Sequence, residues 1–491
     1  MAPVSSLIWL IAGAALLGVT LRTPIAPLAW LALALLLHGS RSLPAPAGLL
    51  WTWLVLYAAL AYGRHGDIPV PGAAFFVIVA AIATTLTIPF ALDRMAGVRL
   101  GGAAATLVFP LAWVAAEFLQ SRFAPGATWG SIAYTQYGVL PLMQVAAFVG
   151  IWGITFLIAW FASTVDLAWT RGFDWSIVRT PVVTYAAVLG AVIVGGSVRL
   201  ALASTERPSM RVAAVNRPVD LFIPGEMTRI AEDRVSPEER ERLGAKLARL
   251  QDWFLDQSRR EARAGARLVA WPEQNLLIYA EDEPAFLARA QRLASEDSVY
   301  LAMGMGTIHR GEPQSFENKL IVIDPSGRTI VSYLKTHAVP GWEASIMQRG
   351  DGHLPVVTTA DGRIAGAICY DADFPEFIRQ AGRGDADLLI VPANEWKAIK
   401  TIHPRMAAFR AIENGVSLVR PASSGISTAV DPWGRLLAVA DYFAPGDRTM
   451  VAQVPLGGVR TLYAKTGDLF AWLCVAGLVV SVGIAAVSRA Q

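Results

Sequence analysis

A thiol, a carboxylate and an ammonium stand at Cys369, Glu273 and Lys335, each following a short apolar run of strand type. Together they could make a nucleophile. A free thiol is mostly protonated at neutral pH, so it needs a base to take its proton and a cation to favour thiolate and the oxyanion of an attacked carbonyl. Glu273 suits the first role, Lys335 the second, and the backbone N–H of Tyr370 is a natural further oxyanion donor; the product of attack on an acyl group is a thioester. Carboxylate, ammonium and thiol would titrate as one coupled set. Taken singly, a buried cysteine is ordinary packing and a charge at a strand end is ordinary solvated surface. The combination is what points to chemistry.

The elements that must position these groups lie between about Thr205 and Thr466. A strand-like Met210–Val215 opens the block, and Leu243, Leu247, Leu250 and Phe254 then recur at helical spacing among charged residues before the apolar Leu268–Trp271. Pro284–Ala294 reads as helix and Val299–Met305 as strand. Leu320–Ile323 and Thr329–Leu334 read as paired strands across the turn Asp324-Pro325-Ser326-Gly327. Ile364–Ile368 and Leu388–Val391 are of buried-strand type, separated by a helix over Pro375–Ala381. This alternation predicts an α/β block with a layered sheet, and strand ends that bring Glu273, Lys335 and Cys369 to one sheet edge. Gly304-Met305-Gly306 lacks the third glycine and the following helix of a phosphate-binding loop.

The block is fenced by apolar sequence. With 491 residues, 54% hydrophobic and only 16% charged, and a mean hydropathy of +0.44, the chain is too apolar for an ordinary soluble protein and long enough for more than one domain. A net charge of +3 implies no nucleic-acid partner. The two cysteines, Cys369 and Cys474, lie in settings too different for a disulfide, and Cys474 reads as packing in a hydrophobic helix.

Apolar spans are expected at Ser5–Leu21, Ile25–Leu37, Gly48–Tyr62, Gly72–Leu92, Ala103–Gln120, Met143–Trp169 and Pro181–Leu202, then at Asp468–Ser488; the second and third are short for a bilayer. No Lys or Arg precedes Arg22, so the first reads as a retained helix rather than a signal peptide. With a cytoplasmic N-terminus, inside loops carry Arg41, Arg94, Arg99, Arg171, Arg179 and Arg489, and short outside loops carry Arg22, Arg64 and Arg122. The polar block then lies outside. Glu117 and Asp166 fall within spans, where acidic residues are functional candidates by default. Asp166 reads as an interfacial charge on the side away from the polar block, and Glu117 either as functional or as a partner of Arg122.

Trp271-Pro272-Glu273, Lys335-Thr336-His337-Ala338-Val339-Pro340 and Cys369-Tyr370 resemble the glutamate, lysine and nucleophile motifs of the carbon-nitrogen hydrolase (nitrilase) superfamily. Asn394-Glu395-Trp396, Arg410-Ala411-Ile412-Glu413-Asn414-Gly415 and Ser424-Gly425-Ile426-Ser427 are similar to segments that follow the nucleophile there. With Phe109-Pro110-Leu111-Ala112-Trp113, Glu117, Thr128-Trp129-Gly130 and Tyr134-Thr135-Gln136, the whole chain resembles the bacterial apolipoprotein N-acyltransferase family. It departs from the family pattern at Val339-Pro340-Gly341-Trp342-Glu343, at Asp371 where glutamate is common, and at Ala214-Val215-Asn216-Arg217, which lacks a glutamine-rich ending. These departures bear on the acceptor more than on the chemistry.

The resemblance implies a transmembrane domain over 1–204 with seven helices, a nitrilase-like αββα sandwich over 205–466, and a final transmembrane helix over 467–491, about eight membrane helices in all. It implies a multi-pass protein of the bacterial inner membrane whose catalytic domain faces the periplasm. There Cys369, with Glu273 and Lys335, would take an acyl chain from a phospholipid and pass it to the α-amino group of the diacylglyceryl-modified N-terminal cysteine of an apolipoprotein. Glu343 and Tyr370 are expected as supporting residues, and Trp129, Trp342, Trp396 and Glu117 as substrate-binding or lid residues, with Tyr134, Tyr137 and Phe374 of similar type. The pocket is expected to open toward lipid and to keep water from the thioester. No cofactor is needed, because an ester donor is already activated relative to the amide. His337 and His403 lack a second ligand at helical spacing, so no metal is expected. A membrane-bound amidase or hydrolase using the same three residues, and a scaffold or transporter with a degenerate domain, stay open.

Overall fold

Uninterrupted apolar stretches near both ends of the chain fold as long helices, and the charged, alternating middle folds as sheets covered by helices. The computed structural model describes residues 3–203, 207–217, 225–232, 234–446 and 448–487. It divides into two compact units, Met1–Ala203 with Thr466–Gln491, and Ser204–Lys465. The expected junction at 204/205, as well as Ser488 and Arg489, lie outside the described residues.

The first unit holds the helices Pro3–Arg22, Ala26–Arg41, Ala45–Gly63, Ala73–Leu92, Gly102–Phe123, Ile151–Thr170, Trp175–Ala201 and Leu469–Val487. Among the described residues, seven helical segments are long and apolar enough to cross a membrane; of the helices just named only Ala26–Arg41 is not one of them. The 16 residues of Ala26–Arg41 span only about 24 Å at helical rise, and most of its second half is buried. The expected span Met143–Trp169 is broken: the chain turns left-handed at Gly150, φ 68°, after the short helix Ala146–Val149, and the long helix starts at Ile151. The span expected from Pro181 begins instead at Trp175, where the Asp174 carboxylate accepts the Ser176 N–H at 2.9 Å.

Asp166 is enclosed by protein. It is 1% exposed, accepts His38 Nδ1–H at 2.8 Å and pairs with Arg41 at 2.5 Å, while Arg41 also grips Asp93 at 2.6 Å. Sequence distance hid this cluster, whose members come from three helical segments.

The second unit holds β1 Ser209–Ala214, β2 Leu268–Tyr279, β3 Tyr300–Ile308, β4 Phe316–Ile323, β5 Thr329–Leu334, β6 Met347–Gln348, β7 Val356–Thr359, β8 Gly362–Gly366, β9 Leu388–Ile390, β10 Ala393–Asn394, β11 Ser417–Arg420, β12 Ala422–Ser423, β13 Ile426–Val430, β14 Leu436–Asp441 and β15 Met450–Pro455. One sheet runs β15-β1-β2-β3-β4-β5 with β6 on β4, and a second runs β14-β13-β11-β9-β8-β7. Parallel pairing joins β1, β2 and β3 in the first sheet, and β8, β9 and β11 in the second. β10 and β12 form a short parallel pair packed against β2.

Helices Pro237–Arg263 and Glu283–Glu296 cover the first sheet. The former begins at a capping box between Ser236 and Glu239. Its Leu250 and Phe254 join Phe286 and Leu293 on Val269, Trp271 and Met303, and the Trp271 indole N–H reaches Ser258 Oγ at 2.9 Å. Helix Ile402–Asn414 packs on β11 and β13 and against Pro375–Arg383. The order is therefore helix, sheet, sheet, helix, with buried apolar side chains on the strands between.

Candidate active site

The strand expected to stop at Trp271 runs on to Tyr279, so Glu273 lies inside β2 rather than beyond its end. Between the pairs Trp271↔Met303 and Leu276↔Met305, four residues of β2 face one of β3, a bulge. Gln274 there has φ 53°. The facing residue is Gly304, where a Cβ would come 2.4 Å from the Pro272 carbonyl oxygen; only glycine admits the bulge. The bulge turns the Glu273 carboxylate out of the ladder toward β4 and β10.

Lys335 follows β5, its N–H held by the Asn318 carbonyl at 2.9 Å. Cys369 opens the 3-10 turn Cys369–Asp373 after β8, with φ 46°. A left-handed conformation at a non-glycine residue stores about 1–3 kcal/mol and is tolerated only where the surroundings over-determine it. Here the Cys369 N–H donates to the Pro392 carbonyl at 2.8 Å and the Ile368 N–H to Asp371 Oδ2 at 3.1 Å. Glu273 and Lys335 thus come from one sheet and Cys369 from the other. The site lies across two sheets, not on one sheet edge as the strand ends predict.

All three meet. Lys335 Nζ–H donates to Glu273 Oε1 at 2.8 Å and to both oxygens of Glu343, at 2.9 and 2.8 Å. Asn318 Nδ2–H bridges the same two carboxylates, 2.7 Å from Glu273 Oε1 and 2.8 Å from Glu343 Oε1, and the Asn394 N–H donates to Glu273 Oε2 at 2.8 Å. Glu343, on the short helix Trp342–Ile346, also accepts from the Val339 N–H at 2.7 Å and Gln274 Nε2 at 3.1 Å. Cys369 Sγ lies 3.9 Å from the carbonyl of Asn394, the residue whose N–H holds Glu273, and the Glu273 charge acts on the thiol.

Glu273, Lys335, Glu343 and Cys369 are each at most 5% exposed. Burial, and then the Glu273 charge, hold the Cys369 thiol well above its ordinary pKa, against Lys335 and Arg420, which pull it down. Burial pulls the Lys335 ammonium down, but Glu273, Glu343 and Cys369 outweigh it and keep it well above its ordinary value. One ammonium faces two carboxylates, so a thiolate would be a third anion. At rest Cys369 is a thiol beside the Glu273 carboxylate.

Asp371 ties the lysine loop to the nucleophile turn. It is fully buried; Oδ1 accepts the His337 N–H at 2.8 Å and His337 Nδ1–H at 2.9 Å, and Oδ2 accepts the Tyr333 hydroxyl at 2.7 Å. The His337 ring stacks on Phe374 with centroids 3.8 Å apart, and Tyr370, next to the nucleophile, meets Phe374 edge to face. Asn318, Gln274 and the Asn394 backbone escaped the sequence reading; Asn318 stands in the polar run Glu317-Asn318-Lys319, where an amide gives no local signal.

Trp342 is 37% exposed, its indole N–H donating to Glu232 at 2.7 Å, and Trp396 is half-buried. Glu117 and Trp129 belong to the other unit, where both line a cavity with Arg64 and Gln120. Glu117 does not pair with Arg122. It accepts from Trp113 Nε1 at 3.0 Å, Ser131 Oγ at 2.6 Å, the Ile132 N–H at 3.0 Å and Thr155 Oγ1 at 3.1 Å. His337 and His403 are both bonded to carboxylates.

Residues 245–464 match the carbon-nitrogen hydrolase family and residues 12–164 match the apolipoprotein N-acyltransferase N-terminal domain. The chain is 30% identical to an apolipoprotein N-acyltransferase of Geobacter metallireducens, over 96% of this chain and 93% of that one. It is 28% identical to one of Bradyrhizobium diazoefficiens, over 79% and 74% of the two chains. Among solved structures, an amidase from Nesterenkonia sp. is similar at 22% identity, with a TM-score of 0.39, over 50% of this chain and 90% of the amidase. The chain therefore belongs to the apolipoprotein N-acyltransferase family, as a multi-pass bacterial membrane acyltransferase built around a carbon-nitrogen hydrolase domain.

Proposed function

We propose that Cys369 carries the acyl chain from a membrane phospholipid to the α-amino group of a diacylglyceryl-modified apolipoprotein cysteine. The observation that supports this most is the buried hydrogen-bonded chain Glu343–Lys335–Glu273 next to the thiol. In the first half-reaction Glu273 takes the thiol proton as Sγ attacks the ester carbonyl, and Lys335 stabilises the oxyanion. The tetrahedral adduct breaks its C–O bond, Glu273 returns the proton to the departing glycerol oxygen, and a lysophospholipid leaves behind a Cys369 thioester. The amine of the acceptor then attacks that thioester, its proton passes to Glu273, and the C–S bond breaks to give the amide and restore the thiol. Within the catalytic unit Tyr370, Trp342 and Trp396 are proposed to bind or cover substrate, and within the membrane unit Trp129 and Glu117 are proposed as substrate-binding residues.

The orientation proposed places the N-terminus and the loops with Arg41, Arg94 and Arg171 in the cytoplasm, and the catalytic unit on the periplasmic side of the inner membrane. This counts the short helix Ala26–Arg41 as a crossing.

Intact-mass spectrometry of the purified chain after incubation with a single-species phospholipid tests the reading. An added acyl mass that maps to Cys369, and that transfers to a diacylglyceryl-cysteine peptide, is expected. Release of free fatty acid alone would favour a hydrolase, and no adduct in the wild-type chain would sink the thioester route.

A further inference from the structure

Behind the nucleophile lies a second buried group of titratable side chains that the steps above do not use. Asp373, Glu395, His403 and Arg420 are 1%, 6%, 2% and 0% exposed. They come from four places: Asp373 ends the nucleophile turn, Glu395 follows β10, His403 sits on helix Ile402–Asn414, and Arg420 ends β11. Arg420 Nη2 lies 2.6 Å from Glu395 Oε1 and 2.8 Å from His403 Nδ1, and His403 Nε2–H donates to Asp373 Oδ1 at 3.0 Å.

The two ends of this group are covalently next to the chemistry. Asn394, whose N–H holds Glu273 Oε2, immediately precedes Glu395, and Pro392, whose carbonyl holds the Cys369 N–H, lies two residues before Asn394. Segment 392–395 therefore touches the base and the nucleophile at once. Its far end is pinned by the Glu395 N–H to the Ser423 carbonyl at 2.9 Å and by the carboxylate to Arg420. A Cβ at Gly425 would come 2.0 Å from Glu395 Oε2, so the backbone there is shaped around this carboxylate. The nucleophile turn is pinned separately, by Asp373 to His403. Buried ion pairs are poor sources of net stability, and a role in fixing geometry accounts for this one.

We propose that Asp373, His403, Arg420 and Glu395 form a positioning network that sets Glu273 against Cys369 by locking the nucleophile turn to segment 392–395. None of the four touches the reacting atoms; they are positioning residues. The proposal rests on the assignment of Glu273 as base and Cys369 as nucleophile.

The test is the rate of Cys369 alkylation by iodoacetamide in the full-length chain in detergent, mapped by peptide mass to separate it from Cys474. Thermal midpoints are recorded beside it. Four proteins are compared: wild type, Glu395→Gln, Glu273→Ala and the double variant. Glu395→Gln keeps the side-chain shape and leaves the Arg420 charge near the thiol. Mispositioning predicts that it slows wild-type alkylation about 10- to 100-fold, yet changes the residual rate of Glu273→Ala by less than about twofold, because its effect runs through the base. Equal slowing in both backgrounds, or none in wild type, overturns the network. If Glu395→Gln does not fold, His403→Gln is read in the same way through the Asp373 arm, and failure of both to fold marks the group as structural only and overturns the proposal. A Glu273→Ala rate equal to wild type would instead sink the base assignment itself.

Discussion

The Lys335 ammonium is chelated by Glu343, with Nζ 2.9 Å from Oε1 and 2.8 Å from Oε2, while it keeps a 2.8 Å bond to Glu273. An ammonium has three protons to donate, and all three are engaged at rest. An oxyanion on the substrate must therefore take over one of these bonds, so Lys335 can serve the transition state only if its remaining partners hold it in place. Glu343→Gln removes one anion and is expected to lower the acyl-transfer kcat by about 100-fold, with the acyl adduct on Cys369 accumulating more slowly. Glu343→Ala should also lower stability by about 3 kcal/mol, since it removes one partner of a buried charge. Turnover within twofold of wild type in both variants would show that Glu273 and Asn318 suffice to hold the lysine.

The raised Cys369 pKa carries a pH prediction. Burial and the Glu273 charge both favour the thiol, so free thiolate is scarce between pH 6 and 8, and in the proposed reaction the proton leaves to Glu273 as the electrophile is attacked. Alkylation of wild type should vary little over that range. In Glu273→Gln the base is gone and one cause of the raised pKa with it, but burial, the larger cause, remains. The rate should fall and then climb about tenfold per pH unit, following the thiolate fraction. A flat profile in Glu273→Gln would mean that another base serves the thiol.

Asp371 spends its two oxygens on His337, Tyr333 and the Ile368 N–H, and so couples the loop of Lys335 to the turn of Cys369. Asp371→Asn turns an NH2 toward groups that donate, leaving buried donors unmet at about 1–3 kcal/mol. Thermal unfolding should register that loss, and thioester formation should slow at least tenfold at temperatures where the variant stays folded. Asp371→Glu restores the charge on a longer stem and should recover only part of the rate. Full recovery would show that the charge, not the fit, matters there.

In the membrane unit, Asp166→Ala strands Arg41 and His38 on one side of a buried cluster. The expected loss is about 3 kcal/mol, read as a lowered unfolding midpoint in detergent. Iodoacetamide alkylation of Cys369 in the still-folded variant should be unchanged. A midpoint equal to wild type would mean that Asp93 alone satisfies Arg41.

Much of this was legible in the chain itself, because it depends on local physics. Most apolar runs of bilayer length, the helical spacing of Leu243, Leu247, Leu250 and Phe254, and the turn at Asp324–Gly327 are short-range signals that fold as their composition predicts, whereas the run Met143–Trp169 breaks at Gly150. The types needed for acyl chemistry could also be named, since a thiol, a carboxylate and an ammonium stand together in motifs that follow apolar runs of strand type. What neighbours in sequence cannot encode is which distant groups share a cavity. The bulge that moves Glu273 into the middle of β2 depends on Gly304 of the adjacent strand. Asn318 meets Glu273 only once β2, β3 and β4 pair in one sheet, Asp371 and the Asn394 N–H acquire their roles only once further strands pack against that sheet, and Asp166 is buried only because other helices close around it. Residue identity and local period decided the elements and the reagents; long-range packing decided the distances, and the 2.7 and 2.8 Å bonds that Glu273 accepts from Asn318 and Lys335 depend on those.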